Sequence, residues 1–185
     1  ITMCRGKFVP LDTSKNSFEI SREMIEGAIT EKTKAIILNS PTNPTGCVLS
    51  RESLENIHNA VKDRNIFVIC DDVYRSLIYT DSYESFSSFK DLKKKIIVIQ
   101  SFSKPYAMTG WRMGYLMADA EIKKHLELVH QFTVVSTVSF SQSACIKALE
   151  TDVSPMVEEY NKRRLEARIN DKVSKYSLGM RQRLG

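Results

Sequence analysis

Three short stretches of this sequence are apolar throughout, whereas a strand with one solvated face would alternate apolar and polar residues. They run from Ala35 to Leu38, from Ile66 to Cys70 and from Ile96 to Ile99, and a fourth, Gly114 to Ala118, follows after a short turn. Strands that are apolar on both sides are typical of mostly parallel sheets covered on both faces. This pattern constrains the fold more than any other feature of the chain.

Helical patterns separate these stretches. Ser21 and Ser50 each precede a segment whose apolar residues recur at three- and four-residue steps, and a serine in this position caps the first helical turn. Further helices are predicted over 121–132 and 139–150, and from Ser154-Pro155 onward. The alternation predicts an α/β fold, a three-layer α/β/α sandwich with a mostly parallel sheet.

The composition is that of a folded globular domain. The 185 residues suit one domain, and 42% hydrophobic with 26% charged residues excludes a disordered chain. Four cysteines and three histidines lack metal-ligand spacing, and no apolar run approaches the ~20 residues of a membrane span. The charge of +5 comes from basic residues near the chain end without interleaved aromatics. We therefore expect no metal, no membrane segment, no nucleic-acid partner and a cytoplasmic location.

Polar clusters follow each of the first three predicted strands. They are 39–46 (NSPTNPTG), 71–74 (DDVY) and 101–104 (SFSK), and they are expected to converge because ligands bind outside the carboxyl ends of such strands. With Arg112 they supply an amine, a carboxylate, a phenol, an amide and two hydroxyls. A lysine for an aldehyde, a carboxylate for a ring nitrogen, and serine with arginine for a phosphate are the partners that pyridoxal phosphate requires.

The same residues carry a resemblance to a known family. The segments 40–46 (SPTNPTG), 71–74 (DDVY) and 101–115 (SFSKPYAMTGWRMGY) resemble, in the same order, those of the class I and II, fold-type I, pyridoxal-phosphate-dependent aminotransferases. The similarity extends from about Pro10 to about Glu166. It implies that the chain is the large-domain portion of such an enzyme.

The resemblance implies a role for each matching residue. Lys104 would form the aldimine with the cofactor and move the proton at the alpha carbon of the amino acid. Asp71 would pair with the pyridinium nitrogen, and Tyr74 and Asn43 would hydrogen-bond the phenolic oxygen of the ring. The cofactor phosphate would be held by Ser101, Ser103 and Arg112. The implied catalytic residues are thus Lys104, Tyr74 and Asp71, and the implied cofactor is pyridoxal 5'-phosphate.

Three other positions in the motifs carry expectations of their own. Asp72 stands where the family commonly has Glu, and its side chain is expected to point elsewhere in the sheet. Pro105 follows Lys104 directly and removes a backbone donor. Trp111, the only tryptophan, is expected to pack in the core next to Arg112.

The resemblance also divides the chain. Residues 1–154 correspond to the cofactor-binding large domain, incomplete at its N-terminus, and residues 155–166 to the start of the long inter-domain helix. Residues 167–185 are interpreted as a tail foreign to the family, and 173–185 is similar to the signature region of ATP-binding-cassette transporter subunits. The sequence has no Gly-x4-Gly-Lys-Ser/Thr motif, so ATP binding is not inferred. The chain is therefore interpreted as a truncated family member.

The leading interpretation is an incomplete aminotransferase that acts on an L-amino acid and a 2-oxo acid, with a homodimer implied by the resemblance. Two alternatives stay open. A carbon–sulfur lyase or a decarboxylase of the same fold would keep Lys104 and Asp71 but direct the reaction differently, and a non-catalytic remnant would fold without turnover. The pair Asp71 and Tyr74 and the segment 108–112 favour transamination.

Overall fold

The computed structural model describes residues 1–78 and 82–166, and its centre is a four-stranded sheet. The strands lie side by side in chain order: β1 (Ala35–Asn39), β2 (Phe67–Asp71), β3 (Ile96–Ser101) and β4 (Gly114–Ala118). β1, β2 and β3 are parallel, whereas β4 runs antiparallel to β3. The prediction of an α/β fold with a mostly parallel sheet is confirmed, because all four apolar stretches form strands.

The α-helices of the described residues are α1 (Arg22–Ala28), α2 (Arg51–Val61), α3 (Ala120–Thr133), α4 (Ser139–Leu149) and α5 (Ser154–Glu166). Both predicted caps are present. The Ser21 hydroxyl accepts a hydrogen bond from the Met24 N–H at 3.3 Å, and the Ser50 hydroxyl accepts one from the Ser53 N–H at 3.1 Å. Short 3-10 helices at 86–88 and 90–95 occupy the polar stretch before β3.

One face of the sheet is fully packed. Leu38, Val68 and Val98 are buried in one cluster with Ile25 of α1 and Leu54 of α2. These three strand residues lie on the same face because side chains alternate along a strand and the parallel register aligns the neighbours. The helices α1, before β1, and α2, between β1 and β2, therefore cover this face.

The opposite face of the sheet is more open. Ile37 is 54% exposed, Ile99 38% and Leu116 44%, although all three are apolar. Ile99 and Leu116 are register partners, so the open surface continues from β3 to β4. The sequence predicts cover on both faces, and the described part of the chain fully packs one of them.

The helix α2 is held at both ends by charged side chains. At its start, the Glu19 carboxylate accepts a hydrogen bond from the Ser50 hydroxyl at 2.6 Å and another from the Ser53 hydroxyl. At its end, the Lys95 ammonium donates at 3.3, 2.8 and 2.7 Å to the backbone carbonyls of Val61, Lys62 and Arg64. Both charges complement the backbone groups that a helix leaves unsatisfied at its ends.

A second, smaller apolar cluster lies beyond β3. Its buried members are Phe102, Met113 and Cys145 of α4, and Tyr115 packs against them. The described residues of α3 add no buried side chain, and Phe132 of that helix is 82% exposed. The chain is therefore densely packed around α1 and α2 and thinly packed around α3 and α4.

None of the helices described is long and apolar enough to cross a membrane. The tail at 167–185, with its segment similar to a transporter signature, lies outside the described residues.

Candidate active site

The three polar clusters leave the sheet from one edge, as the sequence predicts. Asn39, Asp71 and Ser101 are the last residues of β1, β2 and β3. The parallel register pairs Asn39 with Asp71 and Asp71 with Ile99. Because these strands point the same way, side chains that are 30 or so positions apart in sequence meet at this edge.

Asn43 and Tyr74 are in direct contact at this edge. The Asn43 carboxamide donates a hydrogen bond from Nδ2 to the Tyr74 hydroxyl at 3.2 Å. The Lys104 ammonium lies over the Tyr74 ring, with Nζ 5.8 Å from the ring centroid, within the range of cation–π attraction. Asn43 is exposed and Lys104 half-buried, so both polar groups are open to an incoming molecule.

Asp71 has a buried oxygen that lacks a hydrogen-bond partner. No donor within the described residues reaches its Oδ1 atom. A buried polar atom without a partner costs free energy, so Oδ1 of Asp71 is a candidate acceptor for a donor of a bound group. A protonated ring nitrogen supplies the missing donor, and the nearby amide, phenol and amine suit the other polar groups of pyridoxal phosphate. The residues present therefore fit this cofactor.

The serines and the arginine of the expected phosphate site belong to one β-hairpin. The Phe102 N–H donates to the Met113 carbonyl at 3.2 Å, which continues the antiparallel pairing past the end of β3. Ser103 directly follows Phe102 and Arg112 directly precedes Met113, so both residues lie next to the last hydrogen-bonded pair of the hairpin. The Ser103 N–H donates to the Ser101 hydroxyl at 3.0 Å, so the Ser101 side chain lies against the backbone at the start of the turn.

Arg112 is held by its own loop. Its backbone is left-handed, with φ of 55°, and its guanidinium donates from Nη1 to the Thr109 carbonyl at 2.9 Å. Ala107 in the same loop also has a positive φ, 53°. Each such non-glycine residue costs about 1 kcal/mol or more, so the loop holds a strained course between Lys104 and β4.

The close approach of the hairpin strands depends on glycine at position 114. A Cβ atom on Gly114 would lie 2.8 Å from the backbone carbonyl oxygen of Gln100, closer than real Cβ atoms come to such an atom. A larger residue would push β4 away from β3. Gly114 therefore fixes the start of β4, two residues after Arg112.

Asp72 is buried at the end of β2, only 4% exposed. The Ser85 hydroxyl donates to its Oδ2 atom at 2.6 Å. Burial raises the pKa of the Asp72 carboxyl, and the hydrogen bond from Ser85 opposes part of that rise. Burial and the Asp72 charge raise the pKa of the Cys70 thiol to about 12, so that this thiol stays protonated near neutral pH. Asp72 thus anchors segment 82–85 to the strand that presents Asp71.

Sequence reasoning missed one residue of the site and was wrong about another. Asn39, to which no role was assigned, bonds to the backbone of both Asp71 and Asn43. Its position as the first polar residue after an apolar strand was the available signal. Trp111, expected in the core, is 47% exposed because the 3-10 turn Thr109–Trp111 lies on the surface of the loop.

Known proteins resemble this chain in sequence and in fold. It is 40% identical over 166 residues to the probable N-acetyl-LL-diaminopimelate aminotransferase of Bacillus subtilis (strain 168), covering 88% of this chain and 42% of that protein. It is 41% identical over 151 residues to the aspartate aminotransferase of Thermotoga maritima, covering 82% and 40%. A crystal structure of the aspartate aminotransferase from Thermotoga maritima matches with a TM-score of 0.79 and 40% identity, over 86% of this chain and 42% of that one.

The chain spans about two fifths of the length of the curated relatives it matches. The sequence model of the family described as aminotransferase class I and II matches residues 1–171, more than nine tenths of the chain. Since that match includes every residue gathered at the edge of the sheet, this protein belongs to the class I and II aminotransferase family.

Proposed function

We propose that this chain carries the cofactor site of a pyridoxal-phosphate-dependent aminotransferase, which transfers an amino group between an L-amino acid and a 2-oxo acid. The observation that carries the proposal is the buried, unpartnered Oδ1 of Asp71 at the edge where Asn43, Tyr74 and Lys104 meet. Relatives named as aminotransferases favour transamination over carbon–sulfur cleavage or decarboxylation.

When bound, pyridoxal phosphate supplies an aldehyde that exchanges amino groups and a ring that withdraws electrons from the alpha carbon of the substrate. Asp71 holds the ring nitrogen in its protonated form through Oδ1, because a negative carboxylate stabilises an adjacent positive charge. Asn43 and Tyr74 donate hydrogen bonds to the phenolic oxygen of the ring. Their mutual contact at 3.2 Å orients both groups toward one point.

The hairpin supplies the anion-binding side of the proposed site. Ser101 accepts a hydrogen bond from the Ser103 N–H, so its own hydroxyl proton stays available for a phosphate oxygen. Arg112 directly precedes Met113, whose carbonyl accepts from the Phe102 N–H, and it brings a permanent positive charge to the hairpin. A guanidinium beside two hydroxyls suits a phosphate by charge and by donor number.

Lys104 is the catalytic base in this proposal. Its Nζ atom would hold the cofactor through the aldehyde, and the same amine would move the proton at the substrate Cα atom. Its present place over the Tyr74 ring keeps it on the cofactor side of the loop. A lysine is suited to both roles because its amine is both a nucleophile and a proton acceptor.

We further propose a homodimer, a cytoplasmic location and a division of the chain. Residues 1–154 form the cofactor-binding domain, and 155–166 begin the inter-domain helix. Exposed apolar side chains between α3 and α4, among them Phe132, Val135 and Phe140, favour a protein partner over solvent. Cys47, Cys70 and Cys145 are free thiols, as a reducing compartment favours.

Covalent labelling tests the proposal. The chain is incubated with saturating pyridoxal phosphate, reduced with borohydride and mapped by peptide mass. We expect the pyridoxyl group on Lys104, and we expect Lys104→Arg to abolish it, because arginine keeps the charge but lacks a reactive amine. Lys93→Arg is the matched control, since Lys93 is an exposed lysine outside the site, and it should keep the label.

A label spread over surface lysines such as Lys62 and Lys93, with Lys104 unmodified, would overturn the assignment. The reaction type is tested on the full-length protein by product analysis with an amino acid and a 2-oxo acid. Transamination gives a new pair of amino acid and 2-oxo acid, whereas release of carbon dioxide or of a thiol from the substrate would support the alternative reactions.

A further inference from the structure

We propose that Asn39 is a positioning residue for the cofactor site, because its side chain joins the two loops that present Asp71, Asn43 and Tyr74. This inference rests on the proposed function. It concerns a residue that touches no cofactor group and acts through the residues that do.

The Asn39 carboxamide bonds to both loops at once. Its Nδ2 atom donates to the backbone carbonyl of Asp71 at 3.2 Å, and its Oδ1 atom accepts from the backbone N–H of Asn43 at 3.0 Å. Its own backbone carbonyl accepts a hydrogen bond from the Thr42 hydroxyl at 2.5 Å. Asn39 is half-buried, so these bonds are shielded from part of the competition with water.

These bonds close a ring of contacts. Asn39 holds the backbone of Asn43, the Asn43 side chain donates to the Tyr74 hydroxyl, and Tyr74 follows Asp71 by three positions. Asp71 in turn is the register partner of Asn39, and its backbone carbonyl accepts the hydrogen bond from the Asn39 carboxamide. Each group proposed to touch the pyridine ring of the cofactor therefore has its backbone or its side chain fixed by this closed set of contacts.

The chemistry of the bridge requires an amide. A carboxamide of this length presents one donor and one acceptor side by side, so it satisfies a carbonyl and an N–H together. Aspartate is equally long but only accepts when ionised, so it would keep the Asn43 contact and repel the Asp71 carbonyl. Because Nδ2 takes the backbone oxygen of Asp71, the Oδ1 atom of Asp71 stays free for the cofactor.

The test compares Asn39→Ala with Asn56→Ala in the full chain. Asn56 is the matched control because its carboxamide also donates to a backbone carbonyl, that of Ile20 at 3.0 Å, and Ile20 precedes α1, outside the three polar clusters. Affinity for pyridoxal phosphate is measured by quenching of Trp111 fluorescence, since the chain has a single tryptophan. The second measurement is the pH midpoint of the absorbance change of the bound cofactor.

We expect Asn39→Ala to bind the cofactor about tenfold more weakly and to raise the pH midpoint. The midpoint rises because a loosened Asn43 and Tyr74 stabilise the negative phenolic oxygen less well. Asn56→Ala should leave both values at those of the wild type, even where it lowers the melting temperature. Equal effects of the two variants, or an unchanged midpoint in Asn39→Ala, would overturn the inference.

Hydrogen exchange without cofactor provides a second readout. The Asn43 amide should exchange faster in Asn39→Ala, whereas Asn39→Asp, which keeps the acceptor, should restore its protection. Unchanged protection in Asn39→Ala would also overturn the inference. The two proposals fail differently: a wild-type chain unlabelled at Lys104 refutes the proposed function and this inference together, whereas a labelled wild type with an unchanged Asn39→Ala refutes this inference alone.

Discussion

The two ends of the sheet differ sharply in packing. Toward β1 and β2, fourteen buried apolar residues form one cluster between the strands and the helices α1 and α2, so that a complete core is present there. Toward β4 the buried cluster has three members, and most apolar residues of α3 and α4 in the described structure remain exposed. The candidate site lies where these two regions meet.

Because of this difference, the stability of the fold and the proposed ligand binding depend on differently packed parts of the chain. Asn39, Asp71 and Ser101 end strands that contribute to the dense cluster, whereas Lys104 and Arg112 belong to the lightly packed loop between β3 and β4. Binding loops are commonly drawn from the less stable part of a fold, because they must accept and release a ligand. The dense region thus serves as the support, and the hairpin presents the groups that a ligand rearranges.

The sharpest test of this difference uses two leucines in helices. Leu54 of α2 is 1% exposed and Leu128 of α3 is 54% exposed. Leu54→Ala should lower the free energy of unfolding by about 2 to 5 kcal/mol, because it removes buried methyl groups and leaves a cavity. Leu128→Ala should change it by less than about 0.5 kcal/mol. Urea unfolding monitored by circular dichroism measures both.

A large loss of stability in Leu128→Ala would break the comparison, since it would show that α3 is covered as well as α2 is. A partner chain on α3 would produce this result at high protein concentration, so the measurement is repeated at two concentrations.

The second test concerns the end of α2. Lys95→Met keeps the aliphatic stem but removes the ammonium that three backbone carbonyls share, and we expect a loss of about 1 to 2 kcal/mol. Lys93→Met is the matched control, because Lys93 belongs to the same basic run and is exposed. It should change the free energy of unfolding by less than about 0.5 kcal/mol. Equal losses would mean that the net charge of the run, and not the cap, stabilises the helix.

The smallest expected effect is a difference in pH dependence between two carboxylates on the dense side, Glu19 before α2 and Asp72 after β2. Burial pushes the pKa of Glu19 up, but the hydrogen bonds from Ser50 and Ser53 outweigh it and the pKa is lowered below 4.5. Burial raises the pKa of Asp72 above 3.8. The folded protein therefore binds fewer protons at Glu19 and more protons at Asp72 than the unfolded chain does.

Glu19 and Asp72 contribute to the free energy of unfolding with opposite dependences on pH. The contribution of Glu19 is present above pH 4.5 and is lost as the pH falls through its lowered pKa. The contribution of Asp72 is present below pH 3.8 and is lost as the pH rises through its raised pKa. The free energy of unfolding is measured between about pH 3 and pH 6. Glu19→Gln should reduce the loss of this free energy as the pH falls. Asp72→Asn should reduce its loss as the pH rises. If both variants changed the slope of unfolding free energy against pH in the same direction relative to the wild type, this account would be contradicted.

Much of the fold could be predicted because its signals are local. The apolar runs and the serine caps determine strands and helices over a few residues, and three parallel strands bring their polar ends together by topology alone. The reversed direction of β4 could not be predicted, since the run 114–118 is apolar in either direction. Asn39, Glu19 and Lys95 were missed because their partners lie up to 34 positions away and depend on tertiary geometry.

The antiparallel hairpin also affects the order in which the site is assembled. Ser101 and Gly114, which close it, are 13 positions apart, whereas Asn39 and Asp71 are 32 positions apart. Loop-closure entropy grows with the logarithm of loop length, so the wider closure costs about 0.8 kcal/mol more. The hairpin that carries Lys104 can thus form from a short, local stretch of sequence, at low contact order. The contact between Asn39 and Asp71 forms only after α2 has connected β1 to β2.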